Sequence, residues 1–323
     1  MTRTRDKKPE PVPLSHRLSY ALYRVFRTVI SALPLEIAVG LGGLLGWFAG
    51  AVLRIRRGIV EENLARAFPN ESAAWRRRVA IDSYRHLGRE GVITFRLGDA
   101  TAEEVRGMIE IEGLDDFREA FEQEKGIVLV TGHIGNWEIG SASLAAHGFP
   151  IEAVAHRQKN RRFDDDLRET RGRLGMQIIP RDEAPRRGLR ALRQHRVLGL
   201  VADQNVSSAG IFVDFFGVPA SSARGPAVFA LRTGAPLWLG AAVRSGVGSP
   251  RYHGFVRPLN VEIDEDGDPE ENVLRMTRAI AAGLEETIRS APEQYFWLHR
   301  RWKTRPPGEP SAHPAGLPSS QAG

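Results

Sequence analysis

Short β-branched, apolar runs alternate with stretches of helical periodicity from residue 126 onward, and this alternation restricts the fold more than any other feature of the chain. The runs begin at residues 127, 151, 177, 197, 211 and 236, and we predict helices near 136–147, 160–175, 184–195 and 223–234. Late hairpin strands around 251–263 and a helix from about 269 to 290 complete the pattern. Strands and helices of these lengths predict an α/β fold, with a mainly parallel mixed sheet flanked by helices on both faces.

Several kinds of chemistry are excluded by what the sequence lacks. The chain has no cysteine, which rules out disulfides, zinc–thiolate sites and a thiol nucleophile. The segment Gly40–Gly46 nearly spells a dinucleotide fingerprint, but it lies inside one apolar run, and we interpret its glycines as a close helix contact. The acidic segment Glu262–Asp268 lacks the glutamate that would close a calcium loop and is predicted to be a hairpin turn. We therefore expect no metal and no cofactor.

The excess positive charge lies at the N-terminal end of the chain. The formal net charge is +6, and residues 1–66 hold 11 Lys and Arg against 5 Asp and Glu, while the other 257 residues carry 34 of each sign. A nucleic-acid-binding domain would carry a basic stripe on its globular part, so we predict no nucleic-acid partner. The location of the charge instead predicts that one end of the chain meets an anionic surface.

The same end contains an uncharged apolar run of 17 residues, Ile37–Leu53, followed directly by arginines. A membrane-spanning helix needs about 20 apolar residues, with a lower limit near 17. Upstream, apolar residues recur at helical spacing from Leu18 to Ile30 with arginines between them, as in an interfacial helix. We predict that residues 17–57 form membrane-associated helices, either as a single span or attached in the membrane plane. The alternative is that both segments are core helices of a soluble protein.

These observations divide the chain into four segments. Residues 1–16 are basic and proline-rich, and residues 305–323 contain five prolines, so both are predicted to be disordered tails. The membrane-associated helices occupy residues 17–57, and residues 58–304 form the α/β domain.

The stretch Gly126–Glu138, GIVLVTGHIGNWE, carries the clearest candidate for catalysis. A buried strand ends at Thr131, a glycine turns the chain, and His133 follows at the carboxyl edge of the predicted sheet. A helix begins near Asn136 and places Glu138 in its first turn, close enough in sequence to orient the imidazole. A histidine held in this way can take a proton from a hydroxyl group without a covalent enzyme intermediate.

HIGNWE fits the H-x4-D/E motif, and the chain resembles the bacterial lipid A late acyltransferases of the lauroyl and myristoyl type within the lysophospholipid acyltransferase superfamily. Three further segments are similar to blocks of that family: Glu62–Pro69 (ENLARAFP), Ala202–Gly217 (ADQNVSSAGIFVDFFG) and Trp297–Lys303 (WLHRRWK). The resemblance spans roughly residues 17–305. Asn205 and the Ser207–Ala209 segment depart from the family pattern, and this leaves the acceptor more open than the chemistry.

The resemblance implies roles for individual residues. His133 would be the general base on the acceptor hydroxyl, Glu138 would orient it, and the donor would be an acyl thioester on acyl carrier protein. Arg171 and Asp203 match two further positions of the family. Asp203 ends the run VLGLVAD and should share a crevice with His133, although a role as a turn cap explains it equally well.

The remaining candidates are substrate-binding groups. Gln204 follows Asp203, and the arginines that we assign to the phosphates of an anionic glycolipid are Arg157, Arg171, Arg300 and Arg301. Arg161, Arg162, Arg181 and Arg224 add to the predicted cluster. The alternative for any one of these arginines is a solvated helix face.

The sequence therefore predicts an O-acyltransferase that acylates a hydroxyl of a lipid A precursor at the cytoplasmic face of the inner membrane. Its expected partners are acyl carrier protein, the anionic glycolipid acceptor and membrane lipids. Two alternatives remain: an acyl-CoA-dependent acyltransferase on another glycolipid, such as a phosphatidylinositol mannoside, and a non-catalytic membrane protein that binds lipid. The His133 and Glu138 pair favours an enzyme, because a protein that only binds lipid has no need of it.

Overall fold

A seven-stranded sheet and a separate two-stranded hairpin form the β-structure of the computed structural model, which describes residues 13–207 and 210–308. The strands are β1 (Ile109–Glu112), β2 (Ile127–Thr131), β3 (Ile151–Ala155), β4 (Met176–Pro180), β5 (Val197–Val201), β6 (Ile211–Phe215), β7 (Val218–Ser222), β8 (Leu237–Arg244) and β9 (Tyr252–Pro258). The large sheet has the order β1-β9-β8-β2-β5-β3-β4, and β8–β9 is its antiparallel pair. The predicted mainly parallel mixed sheet is confirmed.

Helices surround this sheet on both faces. They are α1 (Leu14–Ala32), α2 (Leu35–Trp47), α3 (Arg57–Ala67), α4 (Ala73–Arg96), α5 (Ala102–Gly107), α6 (Leu114–Glu122), α7 (Trp137–Ala146), α8 (Arg161–Arg173), α9 (Ala184–Arg193), α10 (Gly225–Thr233) and α11 (Pro269–Ser290). The five helices predicted from residue 136 onward are confirmed, with ends within two residues of those expected. Strands β1 and β7 were not predicted.

Two predictions about strands are corrected. The run at residue 211 forms β6, but β6 pairs with β7 outside the main sheet. Phe216 and Gly217 both have positive φ, and this two-residue turn folds β7 back along β6. The acidic segment Glu262–Asp268 is not a hairpin turn, because the β8–β9 hairpin closes earlier, between residues 244 and 252. Its last residue, Asp268, instead caps α11 by accepting a hydrogen bond from the Glu270 N–H.

The direction of each crossover decides which face of the sheet a helix covers. The chain moves from β2 to β3 and from β3 to β4 in one direction along the sheet, then returns to β5 and moves on to β8. Because parallel crossovers are right-handed, α7 and α8 cover one face, whereas α9 and α10 cover the other. The direction changes between β2 and β5, which are neighbours. Their carboxyl ends therefore flank the crevice in which ligands bind in sheets of this kind.

Glycines hold α2 against α4, as the sequence interpretation of Gly40–Gly46 proposed. A methyl group at Gly46 would lie 2.0 Å from the carbonyl oxygen of Tyr84, and one at Gly88 would lie 2.0 Å from the carbonyl oxygen of Gly42. Only glycine permits this approach. The packed face of α2 therefore carries its glycines together with the buried Ala38 and Val39, whereas Ile37, Leu41, Leu44 and Leu45 are exposed.

Those side chains give the N-terminal helices an apolar outer surface. Of the 15 large apolar side chains that are exposed among the described residues, 13 lie between Leu14 and Ile55. The segment Leu35–Val52, α2 and the π-helical turn after it, is also long and apolar enough to cross a membrane, and a third of it is buried inside the protein. Helix α1 begins at Leu14, so residues 14–16 are helical although a tail was predicted there. Part of the predicted C-terminal tail is also ordered, because Arg305 donates to the Pro219 carbonyl oxygen over 3.1 Å. Residues 1–12 and 309–323 of the two predicted tails fall outside the described residues.

Candidate active site

His133 and Asp203 meet at the carboxyl ends of the neighbouring strands β2 and β5. The His133 Nδ1 lies 2.7 Å from Asp203 Oδ1, and the backbone N–H of His133 donates to Asp203 Oδ2 over 2.7 Å. Asp203 is 1% exposed, so its carboxylate is committed to this contact. The predicted shared crevice is confirmed, and Asp203 contacts the imidazole rather than capping a turn.

The His133 imidazole and the Asp203 carboxylate shift each other's pKa values. Burial alone would lower the pKa of His133, but the charge and hydrogen bond of Asp203 outweigh burial and raise the pKa. Burial would raise the pKa of Asp203, and the hydrogen bonds and charge of His133 lower it instead. Asp203 is therefore ionised at neutral pH. An ionised carboxylate accepts from Nδ1–H, which leaves the lone pair of a neutral imidazole on Nε2.

The Nε2 atom faces Gln204 and two aromatic rings. The side-chain amide nitrogen of Gln204 lies 3.3 Å from Nε2. The rings of Trp137 and Phe296 lie 4.9 and 6.0 Å from the imidazole, between centroids. The Phe296 N–H donates to the carbonyl oxygen of His133, so the C-terminal part of the domain helps to fix the residue.

Glu138 does not contact the imidazole, which corrects the geometry expected from the sequence. Its carboxylate pairs with the Arg171 guanidinium through two hydrogen bonds, one of them from Nε over 2.9 Å. The first turn of α7 directs Glu138 toward α8, whereas the turn after β2 directs His133 toward β5. Asp203 is thus the carboxylate that orients His133, and Glu138 joins α7 to α8.

A cavity of about 980 Å³ opens beside these residues. His133, Glu138, Arg171 and Gln204 all line it. The cavity reaches past the carboxyl edge of the sheet, so residues of α7 and α8 line one part and residues of α9 and α10 line the other. The part of its lining that comes from β3 and β5 is apolar and includes the small residues Ala153 and Gly199, which leave room for an extended apolar group.

A buried polar network, which the sequence did not reveal, fixes the turn that carries His133. Glu90 of α4 accepts hydrogen bonds from Asn136 Nδ2 over 2.7 Å, from Arg244 Nε over 2.8 Å and from the Tyr252 hydroxyl over 2.5 Å. Asn136 Oδ1 in turn accepts the Ile139 N–H and so caps α7. These partners are separated from Glu90 by 46 to 162 residues in the sequence, and no local sequence pattern predicts contacts over such separations.

Gly135 adds a steric constraint to the same turn. Its φ is +58°, and a methyl group there would lie 1.9 Å from the carbonyl oxygen of Ala242. The glycine and asparagine of HIGNWE are therefore needed for the shape of the turn rather than for chemistry.

The four sequence blocks converge on this site. Asn63 of the first block donates to the carbonyl oxygens of Trp297 and His299, both over 2.7 Å. His299 Nε2 accepts the backbone N–H of Asn205 over 2.9 Å. Burial, with smaller contributions from nearby cations, lowers the pKa of His299 to about 4, so it remains a neutral acceptor. The first and last blocks thus support the loop that carries Asp203 and Gln204.

The predicted phosphate-binding arginines are dispersed. Arg157 is exposed and pairs with Glu183 over 3.0 Å, and Arg300 is exposed and does not line the cavity. Arg301 is 2% exposed and donates to the Ser221 carbonyl and the Ser222 hydroxyl, so it holds β7 in place rather than meeting a phosphate. Four arginines line the cavity: Arg171, Arg181, Arg224 and Arg232. Of these, Arg232 was not singled out in the sequence.

The described residues contain no cluster of His, Asp and Glu arranged to hold a metal ion.

Comparison with known proteins identifies the family of the chain. The model of the bacterial lipid A biosynthesis acyltransferase family matches residues 10–304. The chain belongs to this family. It is 29% identical over 286 residues to the lipid A biosynthesis palmitoleoyltransferase of Escherichia coli K12, covering 87% of this chain and 90% of that protein. It is 28% identical over 288 residues to the lipid A biosynthesis lauroyltransferase of the same strain, covering 88% of this chain and 91% of that protein.

A second group of relatives acts on a different glycolipid. The phosphatidylinositol mannoside acyltransferase of Mycolicibacterium smegmatis is 26% identical over 302 residues, covering 90% of this chain and 93% of that protein. Both groups are named acyltransferases, so this lipid A family member is an enzyme that transfers acyl groups.

Proposed function

We propose that this enzyme transfers a fatty acyl chain from acyl carrier protein to a hydroxyl of an anionic lipid A precursor. It would act at the cytoplasmic face of the inner membrane and require no cofactor. The observation that carries the proposal is the 2.7 Å contact between His133 Nδ1 and Asp203 Oδ1 at the edge of the cavity. This contact leaves the lone pair of the imidazole on Nε2, which lies beside a space that accommodates an acyl chain and can act as a base when the acceptor hydroxyl replaces the Gln204 amide as its partner.

The reaction proceeds in one displacement. His133 Nε2 takes the proton of the acceptor hydroxyl while its oxygen attacks the thioester carbonyl. The tetrahedral adduct collapses, the C–S bond breaks, and the imidazolium returns its proton to the leaving thiolate. The products are an ester and the free thiol of the carrier, and no bond to the enzyme forms. Asp203 stabilises the imidazolium, and the Gln204 amide is placed to donate to an oxygen of the substrate.

Arg171 and Glu138 act together beside this base. Glu138 neutralises the guanidinium and holds it at the cavity wall, where its remaining N–H groups can meet an acceptor oxygen. Arg181, Arg224 and Arg232 supply positive charge to the same cavity, which suits a phosphorylated head group. Arg157 and Arg300, which are exposed, are assigned to the outer part of this head-group site. Arg301 has an indirect role in substrate binding, because its hydrogen bonds position β7.

Transfer to a phosphatidylinositol mannoside is the second candidate, and the similarity to the mycobacterial acyltransferase supports it. A single assay separates the two: purified enzyme receives a phosphorylated lipid A precursor, its dephosphorylated form and a mannosylated phosphatidylinositol. We expect the highest rate with the first and a lower rate at high salt. Equal rates with the first two would contradict the phosphate argument, and preference for the third would favour the second candidate.

His133→Ala tests the mechanism. We expect a rate loss of about 10² to 10⁴, because the acceptor hydroxyl loses its base. His147→Ala is the matched control, since His147 lies at the end of α7, the helix that follows the His133 turn, and does not line the cavity. Circular dichroism would verify that both variants fold. A His133→Ala enzyme that retains most of its turnover would exclude general-base catalysis by this residue.

A further inference from the structure

The outer face of α9 carries arginines that no acidic side chain neutralises within the described residues. Arg186, Arg190 and Arg193 are exposed and form no ion pair there, whereas Arg187 pairs with Glu183 over 3.0 Å. Helix α9 itself contains no acidic residue. Its sequence, APRRGLRALR, therefore presents a continuous cationic surface.

The inner face of the same helix borders the cavity. Ala184, Pro185 and Leu189 line the cavity. A helix with its side chains is about 10 Å across, so a protein bound to the outer face of α9 would be one helix width from the site. A phosphopantetheine arm is longer than that, and it could bring a thioester past the end of α9 to the cavity.

The partner of this surface is better described as an acidic protein than as a bilayer. A helix that lies on a membrane combines basic residues with exposed apolar ones. Among the described residues, the exposed large apolar side chains are at positions 14–55, 247 and 263, and α9 contributes none. Helix α9 also covers the face of the sheet opposite to α8, the helix with which Tyr20 and Tyr23 of α1 are in contact.

We propose that the outer face of α9 is the docking surface for the acyl carrier protein. This inference rests on the proposed function, which requires such a carrier as donor. Carrier proteins of this type are strongly acidic, and complementary charge would accelerate their association with α9 and orient the thioester toward the cavity.

The test compares two donors with the full-length enzyme in its detergent-solubilised form. One donor is acyl carrier protein bearing the acyl group, and the other is acyl-pantetheine, which has the same thioester without the protein. For Arg186→Glu/Arg190→Glu we expect kcat/KM to fall about tenfold or more with the carrier protein at low salt. The value with acyl-pantetheine should not change, because neither residue lines the cavity.

Arg77→Glu/Arg78→Glu is the matched control, since both arginines are exposed on α4 and neither lines the cavity. This variant should use both donors as the wild type does. A carrier protein whose acidic surface residues are replaced by lysine should recover activity with the α9 variant, as expected if the two charged surfaces meet.

The outcomes separate the two proposals. Suppose that the wild type uses acyl carrier protein. If kcat/KM of the α9 variant is then unchanged, or falls equally with both donors, the docking surface is wrong and the donor assignment stands. If the wild type accepts acyl-pantetheine but not the carrier protein, the donor assignment and the docking surface both fail. If the α9 variant instead loses binding to phosphatidylglycerol vesicles with no change in its use of acyl carrier protein, the surface belongs to the membrane.

Discussion

At the scale of single residues, the site depends on which carboxylate holds the imidazole. Sequence proximity favoured Glu138, five residues after His133, and the fold instead brings Asp203 from 70 residues away. The strand-end positions of both His133 and Asp203 were visible in the sequence, so their shared crevice was predictable. The orientation of Glu138 was not, because it depends on where α8 packs. The contacts of Glu90 were equally hidden, since all of them are long-range.

The pH dependence of the reaction distinguishes the two carboxylates. A base must be neutral to act, so kcat/KM should rise with pH through the pKa of His133, which Asp203 holds above its ordinary value of 6.5. In Asp203→Asn the negative charge is lost and burial remains, which lowers the pKa of His133. The ascending limb of the pH profile should therefore move to lower pH. The maximal rate should also fall, because an amide at this position offers one acceptor oxygen where the Asp203 carboxylate offers two, one to Nδ1–H and one to the backbone N–H of His133.

Glu138→Gln is the control for that experiment. Glu138 contacts Arg171 and not the imidazole, so its substitution should reduce activity without moving the ascending limb. A limb displaced by Glu138→Gln and not by Asp203→Asn would show that the roles are reversed.

At the scale of secondary-structure elements, the contact between α2 and α4 determines how the N-terminal helices are attached. The small-residue pattern of the apolar run was readable from the sequence, but its partner, Gly88 in the middle of an arginine-rich helix, was not. Helix α4 is also the element that brings Glu90 to the catalytic turn. The contact that holds the N-terminal helices is therefore made by the same helix that supports the site.

Gly88→Ala should destabilise the protein, because the added methyl group would overlap the backbone of α2. We expect a loss of about 1–3 kcal/mol in the free energy of unfolding, measured by denaturant titration in detergent. Gly91→Ala, one turn further along α4, has no atom within 4 Å of its new methyl group. It should stabilise the helix by about 0.5–1 kcal/mol. Equal effects of the two substitutions would mean that α2 does not pack here.

At the scale of the whole molecule, the exposed apolar surface lies on the N-terminal helices, and one of them, α1, also contributes Tyr23 to the lining of the cavity. The charge asymmetry and the apolar run of the sequence predict that the N-terminal end carries the surface that meets a membrane. The glycines of the run predicted a close helix contact, and the structure identifies α4 as the partner of α2. Because α2 lies along α4, only its outer face is exposed. Deletion of residues 1–57 would uncover α4, whose Tyr84 hydroxyl donates to the Ile55 carbonyl oxygen, and would therefore disturb the domain itself.

Point substitutions on the exposed face of α1 test membrane attachment without unpacking the domain. Leu18→Glu/Leu22→Glu should shift the protein toward the soluble fraction, because each leucine contributes about 1.5–3 kcal/mol when it leaves water. Val247→Glu is the control, as Val247 is 90% exposed and distant in sequence from α1. High salt should release little of the wild type, since apolar insertion is not screened. Full sedimentation of the double variant with membranes would place the anchor elsewhere.

The convergence of the first and last sequence blocks has a consequence for biosynthesis. The apolar helices leave the ribosome first, whereas Phe296 and His299, which brace His133 and the Asp203 loop, are among the last residues of the domain to emerge. The catalytic centre is therefore complete only when nearly all of the domain has been synthesised. A chain halted before residue 297 should transfer no acyl group, because it lacks the His299 imidazole that accepts the Asn205 N–H beside Asp203.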